Sequence, residues 1–258
     1  MKSGSTSLAQ RKREVPEDFD LVAATYDRLV RRNPGYVEHL RLSAQRLALP
    51  DAGKGARLLD LCCGTGLSTN ALARTYPGAE IVGLDASAGM LDHARTKPTR
   101  DNISFVLGDA SDPAASIGNE PFDAILMAYG IRNLADPDAA LERILALLNP
   151  GAPVCFHEYS VRGNPRAMAT WTGVAWGIII PNGLITAHHT RIFRYLWRSV
   201  LDFDSTSAFE ERLRGRGFVD VHALPMTGWQ RGICHSFLAR RPVVASPPRS
   251  ASSVTLPR

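Results

Sequence analysis

Apolar and polar positions alternate in two rhythms between residues 19 and 160 of the chain. Short, nearly uninterrupted apolar runs predict strands, and the segments between them repeat their apolar residues at helical spacing. The predicted strands lie at 57–61, 81–85, 103–107, 122–128 and 154–159, and helices that follow three of them end near residues 76, 96 and 148. Strands that are apolar on both faces are typical of a parallel sheet covered by helices on both sides.

Further helices are predicted on either side of this region. Before it, apolar residues at helical spacing predict helices at 19–30 and 35–47. After it, helices rich in aromatic residues are predicted at 168–178 and 187–201, followed by a helix at 207–216 and strands at 219–223 and 233–238. We therefore expect an α/β fold with N-terminal helices and a helical insertion, or lid, at about 164–203 before the last two strands.

The two ends of the chain differ in composition from the region between them. Residues 1–17 are rich in Ser, Lys and Arg, and residues 242–258 are rich in Pro and Ser, without apolar periodicity. We expect a flexible basic arm and a disordered tail around a single domain at 18–241. No uninterrupted apolar run has the length of about 20 residues that a spanning helix needs. The nearest candidate, 171–187, is interrupted by Pro181, Asn182 and Gly183.

The net charge of +5 is spread over the chain, apart from a basic run at residues 11–13 and some C-terminal arginines. Without a nucleic-acid reader motif, this charge favours an anionic membrane surface over nucleic acid as a partner. The four cysteines lack CxxC spacing and the adjacent His188 and His189 lack a second ligand cluster, so we expect reduced thiols and no metal site. We expect a soluble cytoplasmic protein with the inner membrane face as a candidate location, and a homodimer stays open beside a monomer.

The first predicted strand leads into a glycine turn. Asp60 lies near the end of the strand, Cys62-Cys63-Gly64-Thr65-Gly66 follows, and a helix comes next. Such a turn lets the backbone approach a ligand at a helix N-terminus. A dinucleotide fingerprint would have a third glycine where this chain has Thr69. An acidic residue at the strand end instead suits a ligand with a cationic amino acid part, whose ammonium group Asp60 would hold.

Two more carboxylates end the next two strands. Asp85 is placed for ribose hydroxyls, and Asp109 is placed for the exocyclic amine of adenine. Three carboxylates at the ends of three successive strands predict a nucleoside-type cofactor, because the carboxyl ends of parallel strands meet at one edge of a sheet. S-adenosylmethionine is favoured over a dinucleotide.

These segments resemble a known enzyme family. LLDLCCGTG, IVGLDASAGML, LGDA, FDAILMAYGIRNLADPDAALERILALLNPG and FHEYS resemble class I S-adenosylmethionine-dependent methyltransferases, specifically the ubiquinone/menaquinone biosynthesis C-methyltransferase family. The hallmark segment is Ala128-Tyr129-Gly130-Ile131-Arg132-Asn133, and VAATYD at 22–27 matches a second motif. The resemblance spans about 19–239. It implies a Rossmann-like sheet of seven strands, mostly parallel with the last antiparallel, and C-methylation of a prenylated quinol.

The resemblance also implies roles for matching residues. Arg132, Asn133 and Tyr26 are expected to be catalytic, and the arginine would stabilise a phenolate or polarise a water, since a guanidinium stays protonated. The expected cofactor contacts are Asp60, Cys62, Gly64, Thr65, Gly66, Asp85, Ala86, Met90, Asp109, Ala110, Met127 and Ala128. The expected acceptor contacts are Tyr129, Trp176, Phe193, Tyr195 and Trp229, within an apolar tunnel walled by the aromatic helices.

The chain departs from the family in several places. Ala128 stands where many relatives have serine, Cys62-Cys63 replaces Ala-Gly or Gly-x, and the loop at 227–232 is longer than the usual turn. Because that loop is expected to border the acceptor pocket, an O-, N- or C-methyltransferase of a soluble small-molecule natural product stays an alternative. A cofactor-binding protein without catalysis and a nicotinamide oxidoreductase are further alternatives. Structural roles stay open for Arg132 and Tyr26, and so do catalytic roles for His157 and Glu158.

Overall fold

The computed structural model describes residues 15–97, 100–187 and 191–243. The strands are β1 Arg57–Leu61, β2 Glu80–Asp85, β3 Ile103–Leu107, β4 Ala124–Ala128, β5 Pro153–Tyr159, β6 Val219–Pro225 and β7 Cys234–Arg240. They form one sheet in the order β3–β2–β1–β4–β5–β7–β6. Neighbouring strands are parallel except where β7 pairs, antiparallel, with β5 and β6. The predicted α/β sheet with an antiparallel last strand is confirmed.

Helices surround this sheet in three groups. The N-terminal group is α1 Val15–Asp20, α2 Ala23–Arg31 and α3 Tyr36–Arg46. The helices that alternate with the parallel strands are α4 Leu67–Thr75, α5 Ala88–Arg95, α6 Ala114–Ile117 and α7 Pro137–Ala146. The C-terminal group is α8 Pro165–Val174, a π-helical turn Ala175–Ile179, α9 Ile180–Ala187, α10 Arg191–Asp202 and α11 Thr206–Gly215. Short 3-10 turns lie at Pro50–Gly53, Ile131–Asn133 and Gly228–Gln230.

The core consists of two apolar layers, one on each face of the sheet. Leu59 and Leu61 of β1 belong to one layer, whereas Leu58 between them belongs to the other. This alternation follows from the two-residue period of a strand, which sends successive side chains to opposite faces. Burial on both faces explains why the central parallel strands β1 and β4 are mostly apolar.

The N-terminal helix predicted at 19–30 is two helices. Asp20 ends α1 by accepting hydrogen bonds from the Ser87 hydroxyl (2.5 Å) and the Gly89 amide (2.9 Å) at the start of α5. The Val22 carbonyl, just before α2, then accepts hydrogen bonds from the amide and the hydroxyl of Thr25 in the first turn of that helix. Helical spacing alone does not reveal this break, because it is caused by a contact with a distant helix.

The predicted boundary of the N-terminal arm at residue 17 is too late. α1 begins at Val15, and the side chain of Val15 is buried against Met90 and Ile192. Residues 1–14 and 244–258, which make up the rest of the predicted arm and almost all of the tail, lie outside the described residues. The strand predicted at 122–128 begins at Ala124, and Phe122 forms only an isolated bridge with Leu148.

The predicted interruption at Pro181 does not occur. Helical structure continues from α8 through the π-helical turn into α9. The amide of Ile180 donates to the carbonyl of Ala175, five residues back, and this wide turn just before Pro181 accommodates a residue that has no N–H of its own. As a result, Pro165–Ile185 is long and apolar enough to cross a membrane by length and composition, a test that many core helices also pass.

Candidate active site

A cavity of about 310 Å³ opens at the carboxyl ends of β1, β2 and β4. The glycine turn forms one wall, with left-handed backbone at Cys62 (φ 57°), Gly64 (φ 53°) and Gly66 (φ 78°). At Gly66 a side chain would also meet the ring of Phe105 at 3.1 Å. A Cβ on Gly64 would have nothing within 4 Å, so this glycine exposes its backbone to the cavity.

Asp85 is held at the edge of this cavity by backbone amides. Its Oδ2 accepts from the Gly64 amide and its Oδ1 from the Ser87 amide, both at 2.8 Å. Burial raises the pKa of Asp85, and these amides oppose the shift. A carboxylate fixed in this way has oxygen lone pairs left for two adjacent hydroxyls, as on a ribose ring. Asp109 lines the same cavity and accepts from the Ser111 amide at 2.8 Å.

Asp60 lies beneath the cavity, not in its lining. The side chain is completely buried, and its Oδ2 accepts from the hydroxyls of Ser68 (2.7 Å) and Thr69 (2.6 Å). Its Oδ1 has no hydrogen-bond partner, and burial raises the pKa of Asp60 to about 7. A buried acceptor without a donor is costly, but Asp60 does not line the cavity, so its expected contact with an ammonium group stays a prediction.

The other expected cofactor contacts divide into two sets. Those that line the cavity are Cys62, Gly64, Thr65, Asp85, Ala86, Met90, Asp109, Ala110 and Ala128. Gly66 instead shapes the turn, and Met127 is buried in the core. Burial, followed by the charge of Asp85, raises the pKa of the Cys62 thiol well above its ordinary value, so the thiol stays protonated and unreactive.

Sequence reasoning missed the contact that closes the turn from the N-terminal side. Asp27 of α2 accepts from the Thr65 hydroxyl at 2.5 Å and pairs with Lys97 at 2.5 Å. Lys97 also donates to the Thr65 carbonyl at 2.5 Å. The signal was present, because Asp27 ends the VAATYD motif, but nothing in the sequence indicated its partners.

A second cavity, of about 440 Å³, lies beside the first. Its walls come from α2, the lid and the Trp229 loop, and most of them are apolar or aromatic. The residues that line both cavities are Phe19, Tyr26, Tyr36, Tyr129 and Asn133. A ligand in the second cavity therefore meets a ligand in the first across a short aromatic boundary.

Arg132 lines the second cavity and is held rigidly. Its Nη1 donates to Glu158 Oε1 and to the Tyr129 carbonyl, each at 2.9 Å, and its Nε donates to the Ser199 hydroxyl at 3.2 Å. Burial opposes the charge of the guanidinium, but Glu158 raises the pKa of Arg132 above its ordinary value. Glu158 is itself fully buried, and its Oε2 has no partner. The structure thus places a permanently positive group, fixed by a buried carboxylate, beside the second cavity, where the acceptor contacts are expected.

Asn133 and Tyr26 lie at the boundary between the cavities. Asn133 donates through Nδ2 to the Tyr129 carbonyl at 3.0 Å and accepts from the Tyr195 hydroxyl at 3.1 Å. The Tyr26 hydroxyl lies 3.3 Å from that of Tyr36. Burial raises the pKa of Tyr26, so its hydroxyl is neutral near pH 7. Both side chains can donate or accept hydrogen bonds without adding charge.

Tyr129 occupies the boundary in a left-handed conformation, with φ 57°. Its ring stacks on Tyr36, with centroids 5.4 Å apart, and its hydroxyl lies 2.8 Å from His157 Nε2. His157 Nδ1 is in turn 2.8 Å from the hydroxyl of Ser43. Burial lowers the pKa of His157 to about 3, so the ring is neutral. His157 holds Tyr129 in place and does not line either cavity.

The lid contributes fewer tryptophans to the acceptor cavity than expected. Phe193, Tyr195 and Trp229 line it, whereas Trp176 does not. Trp176 lies in the π-helical turn with an exposed side chain, and the guanidinium of Arg194 lies over its ring. Trp171, on the aromatic helix predicted at 168–178, is completely buried and belongs to the apolar core.

The long loop near Trp229 closes the far side of the cavity. The indole of Trp229 donates to the Pro34 carbonyl at 3.2 Å. Gln230 is fully buried between Asn33 and His39, with its Nε2 3.1 Å from Asn33 Oδ1. The loop therefore connects the C-terminal strands to the turn between α2 and α3. Among the described residues no group of His, Cys, Asp and Glu could hold a metal, and His188 and His189 lie outside them.

The model of the ubiE/COQ5 methyltransferase family matches residues 6–239 of the chain. The chain belongs to this family. This methyltransferase is 29% identical to a demethylmenaquinone methyltransferase of Clavibacter sepedonicus over 85% of its own length and 88% of the relative. It is 31% identical to a 2-phytyl-1,4-naphtoquinone methyltransferase of Thermosynechococcus vestitus, over 81% of its length and 92% of the relative.

Solved structures support the fold. The methyltransferase resembles phosphoethanolamine N-methyltransferase 2 of Haemonchus contortus bound to S-adenosyl-L-methionine, with a TM-score of 0.64 and 17% identity over 94% of this chain and 61% of that one. It also resembles the [4+2]-cyclase SpnF, with a TM-score of 0.63 and 19% identity over 90% and 96% of the two chains. The enzyme is a methyltransferase that depends on S-adenosylmethionine.

Proposed function

We propose that this enzyme C-methylates a prenylated quinol of the menaquinone or ubiquinone type. The observation that carries the proposal is the meeting of a cavity that contains the carboxylates Asp85 and Asp109 with a larger, more apolar cavity at Tyr26, Tyr129 and Asn133. An acceptor with a reactive ring at the boundary and an apolar chain behind it matches this arrangement. The names of the relatives, demethylmenaquinone and phytyl-naphtoquinone methyltransferases, support the same acceptor class.

We assign the cofactor contacts to the cavity at the strand ends. S-adenosylmethionine supplies an activated methyl group on its sulfonium sulfur. Asp85 would bind the ribose hydroxyls, Asp109 the adenine amine, and the backbone at Gly64 would approach the cofactor closely. In-line transfer then depends mainly on alignment and on exclusion of water. Tyr26, which comes from α2 and lines both cavities, would close over the point of transfer.

Arg132 would raise the nucleophilicity of the acceptor. An aromatic carbon becomes a good nucleophile when a neighbouring phenol, with a pKa near about 10, loses its proton. A guanidinium stays protonated, so Arg132 would stabilise the phenolate or polarise the water that removes the proton. Its fixed position supports this role, because a preorganised charge does not have to reorient during the reaction. Glu158 would act as a positioning residue, and Asn133 would orient the arginine or the water.

The acceptor and the scattered positive charge also lead us to propose a cytoplasmic enzyme that contacts the membrane peripherally. A prenylated quinol partitions into lipid, so the enzyme must meet it at a bilayer or take it from one. The homodimer considered from the sequence stays a prediction.

The test of the proposed function is a methyl-transfer assay with defined acceptors. The purified chain, S-adenosylmethionine and a demethylated prenyl naphthoquinol in detergent should give a product heavier by one methylene, with the new methyl group on a ring carbon by NMR. A phenol of similar size without a second ring hydroxyl serves as the control acceptor. Methylation of an oxygen or nitrogen, or no transfer to any quinol, would contradict the proposal.

A further inference from the structure

The outer side of the lid helix is an uninterrupted apolar surface. From residue 167 to residue 187 the chain contains no charged side chain. The exposed side chains on this stretch include Trp176 (46% exposed), Ile178 (63%), Leu184 (55%) and Ile185 (74%). They alternate along the helix with the buried residues Trp171, Ala175, Ile180 and Gly183, so they lie on the part of the helix that faces away from the core. We call these four residues the lid face.

The opposite side of the same helix is anchored in the protein. Trp171 is completely buried against Tyr159, with ring centroids 4.8 Å apart, and its indole donates to the Trp197 carbonyl. In α9, Gly183 lies so close to the ring of Phe193 that a Cβ would clash at 2.2 Å. A helix fixed along one side cannot be surrounded by lipid. It can only lie flat on a surface with the lid face outward.

The lid face borders the acceptor cavity. Ile178 is exposed and also lines the cavity, together with Asn182 of α9 and Arg32 of the α2 terminus. Arg32 donates to Asn182 Oδ1 at 2.8 Å and thereby joins the lid to α2 at this rim. The cavity therefore reaches the surface between α2 and the lid, at the edge of the lid face.

The charges around this rim are positive. Arg28 and Arg31 of α2 are exposed beside Arg32, and α2 packs against α9. Arg194 lies over the ring of Trp176 at 5.8 Å. Asp27, the acidic residue of α2, is turned inward to Lys97. An apolar helix face with an interfacial tryptophan and flanking arginines is complementary to a membrane with anionic headgroups.

We propose that the lid face and the arginines of α2 form a docking surface for an anionic lipid bilayer, placed so that the acceptor cavity opens onto the membrane. The inference rests on the proposed function for its purpose, since a prenylated quinol is dissolved in that bilayer. The contact itself requires only the lid face and its charges. Ile178 and Arg32 would then lie at the entrance through which the acceptor passes.

The test is vesicle binding by the full chain. Co-sedimentation with vesicles of equal phosphatidylglycerol and phosphatidylcholine should show strong binding, which pure phosphatidylcholine and high salt weaken. Leu184→Gln with Ile185→Gln should lower the partition coefficient at least about tenfold, and Arg28→Gln with Arg31→Gln about tenfold on anionic vesicles alone. The matched control is Val219→Gln with Leu224→Gln, two exposed aliphatic residues on the edge strand β6, which should leave binding unchanged.

A second readout reports the geometry of the contact. Brominated lipids should quench the fluorescence of bound enzyme, and Trp176→Phe should remove most of that quenching. The Leu184→Gln, Ile185→Gln variant should keep its activity toward a short-chain quinol in solution and lose activity toward a long-chain quinol in vesicles. Normal vesicle binding by this variant would overturn the proposal. If the variant also changed a dimer into a monomer, the lid face would be an interface between two copies of the chain.

Two further outcomes separate this inference from the proposed function. If no quinol is methylated in any form but the lid variants still fail to bind vesicles, the proposed acceptor is wrong and the docking surface stands. If bound enzyme resists extraction at high pH, the helix inserts deeply, and a peripheral docking surface is wrong.

Discussion

The two cavities meet at Tyr129 but are built by different parts of the chain. The cofactor cavity is formed largely by the carboxyl ends of neighbouring parallel strands and the turns that follow them. The acceptor cavity takes its walls from α2, the lid and the Trp229 loop, which are far apart in sequence. Strand ends are brought together by the sheet itself, whereas the helices around the acceptor are positioned by side-chain packing.

The two cavities also differ in charge. Asp85 and Asp109 line the cofactor cavity with carboxylates, and burial raises the pKa of Asp85. The acceptor cavity has the buried guanidinium of Arg132. One half therefore suits a ligand with a cationic group and hydroxyls, and the other suits a ring that becomes negative during the reaction. Variants in the cofactor cavity should therefore change cofactor affinity, and variants in the acceptor cavity should change turnover or the KM for the quinol.

The largest effect is expected from Arg132→Lys. This change keeps the charge but loses the planar guanidinium, so turnover should fall about 10²–10³-fold while the affinity for S-adenosylmethionine stays nearly unchanged. The deficit should shrink as the pH approaches about 10, where the phenol ionises unaided. Steady-state rates across pH and calorimetry measure the two parts.

The matched control for this variant is Arg216→Lys, on a surface ion pair with Asp138 and Glu142. It should leave turnover and cofactor affinity unchanged. If Arg132→Lys instead lowers the melting temperature and weakens cofactor binding together with turnover, Arg132 is a structural residue. The two cavities would then not act in separate steps.

The second-largest effect concerns the free energy of unfolding and its dependence on pH through His157, which lies beneath Tyr129. The folded protein keeps His157 neutral, with a pKa of about 3, whereas an unfolded histidine has a pKa near about 6.5. The stabilisation from keeping His157 neutral is fully present when the pH is above the pKa of the unfolded state. It is lost as the pH falls toward the pKa of the folded state. At pH 5 the loss should reach about 2 kcal/mol relative to pH 7, and His157→Gln should remove it.

Urea unfolding of the wild type and the variant at a series of pH values measures this difference. The exposed His222→Gln provides the control, and its stability should follow the wild-type pH dependence. Parallel curves for wild type and His157→Gln would mean that the histidine does not carry the burial cost inferred from its position beneath Tyr129.

A smaller effect should isolate the cofactor half. Asp85→Ala removes charge-assisted hydrogen bonds to the ribose and should weaken S-adenosylmethionine binding at least about tenfold. The KM for the quinol should change little. Calorimetry checks the affinity, with Asp92→Ala as the control, since Asp92 is exposed on the neighbouring α5 and pairs with Arg95. Equal affinity in Asp85→Ala and wild type would refute the assignment.

The smallest effect should isolate the acceptor half. Phe193→Ala removes part of an apolar wall, so the KM for a long-chain quinol in detergent should rise roughly threefold to tenfold more than that for a short-chain analogue. Cofactor affinity should not change. Trp176→Ala, which lies outside the cavity, is the control in the same detergent assay. Equal increases in KM for both acceptors would show that Phe193 is ordinary core.

The sequence predicted the cofactor cavity better than the acceptor cavity. Asp85 and Asp109 line one cavity, because both follow parallel strands and the sheet fixes where strand ends lie, whereas their contacts with the cofactor stay a prediction. Trp176 was misplaced, since periodicity identifies an aromatic helix but not the neighbour that each side packs against. The π-helical turn that contains Trp176 was also not predicted from the helical spacing.

By itself, the sequence determined the alternation of strands and helices, the glycine turn and the carboxylates that follow the strands, because local periodicity and turn chemistry act over a few residues. Only the tertiary structure decided that Asp27 closes on Thr65, that Glu158 fixes Arg132, and that His157 lies under Tyr129. Each of these contacts joins residues that are distant in sequence and buried together, and the cost of burying their polar groups is met only by the partner that the fold supplies.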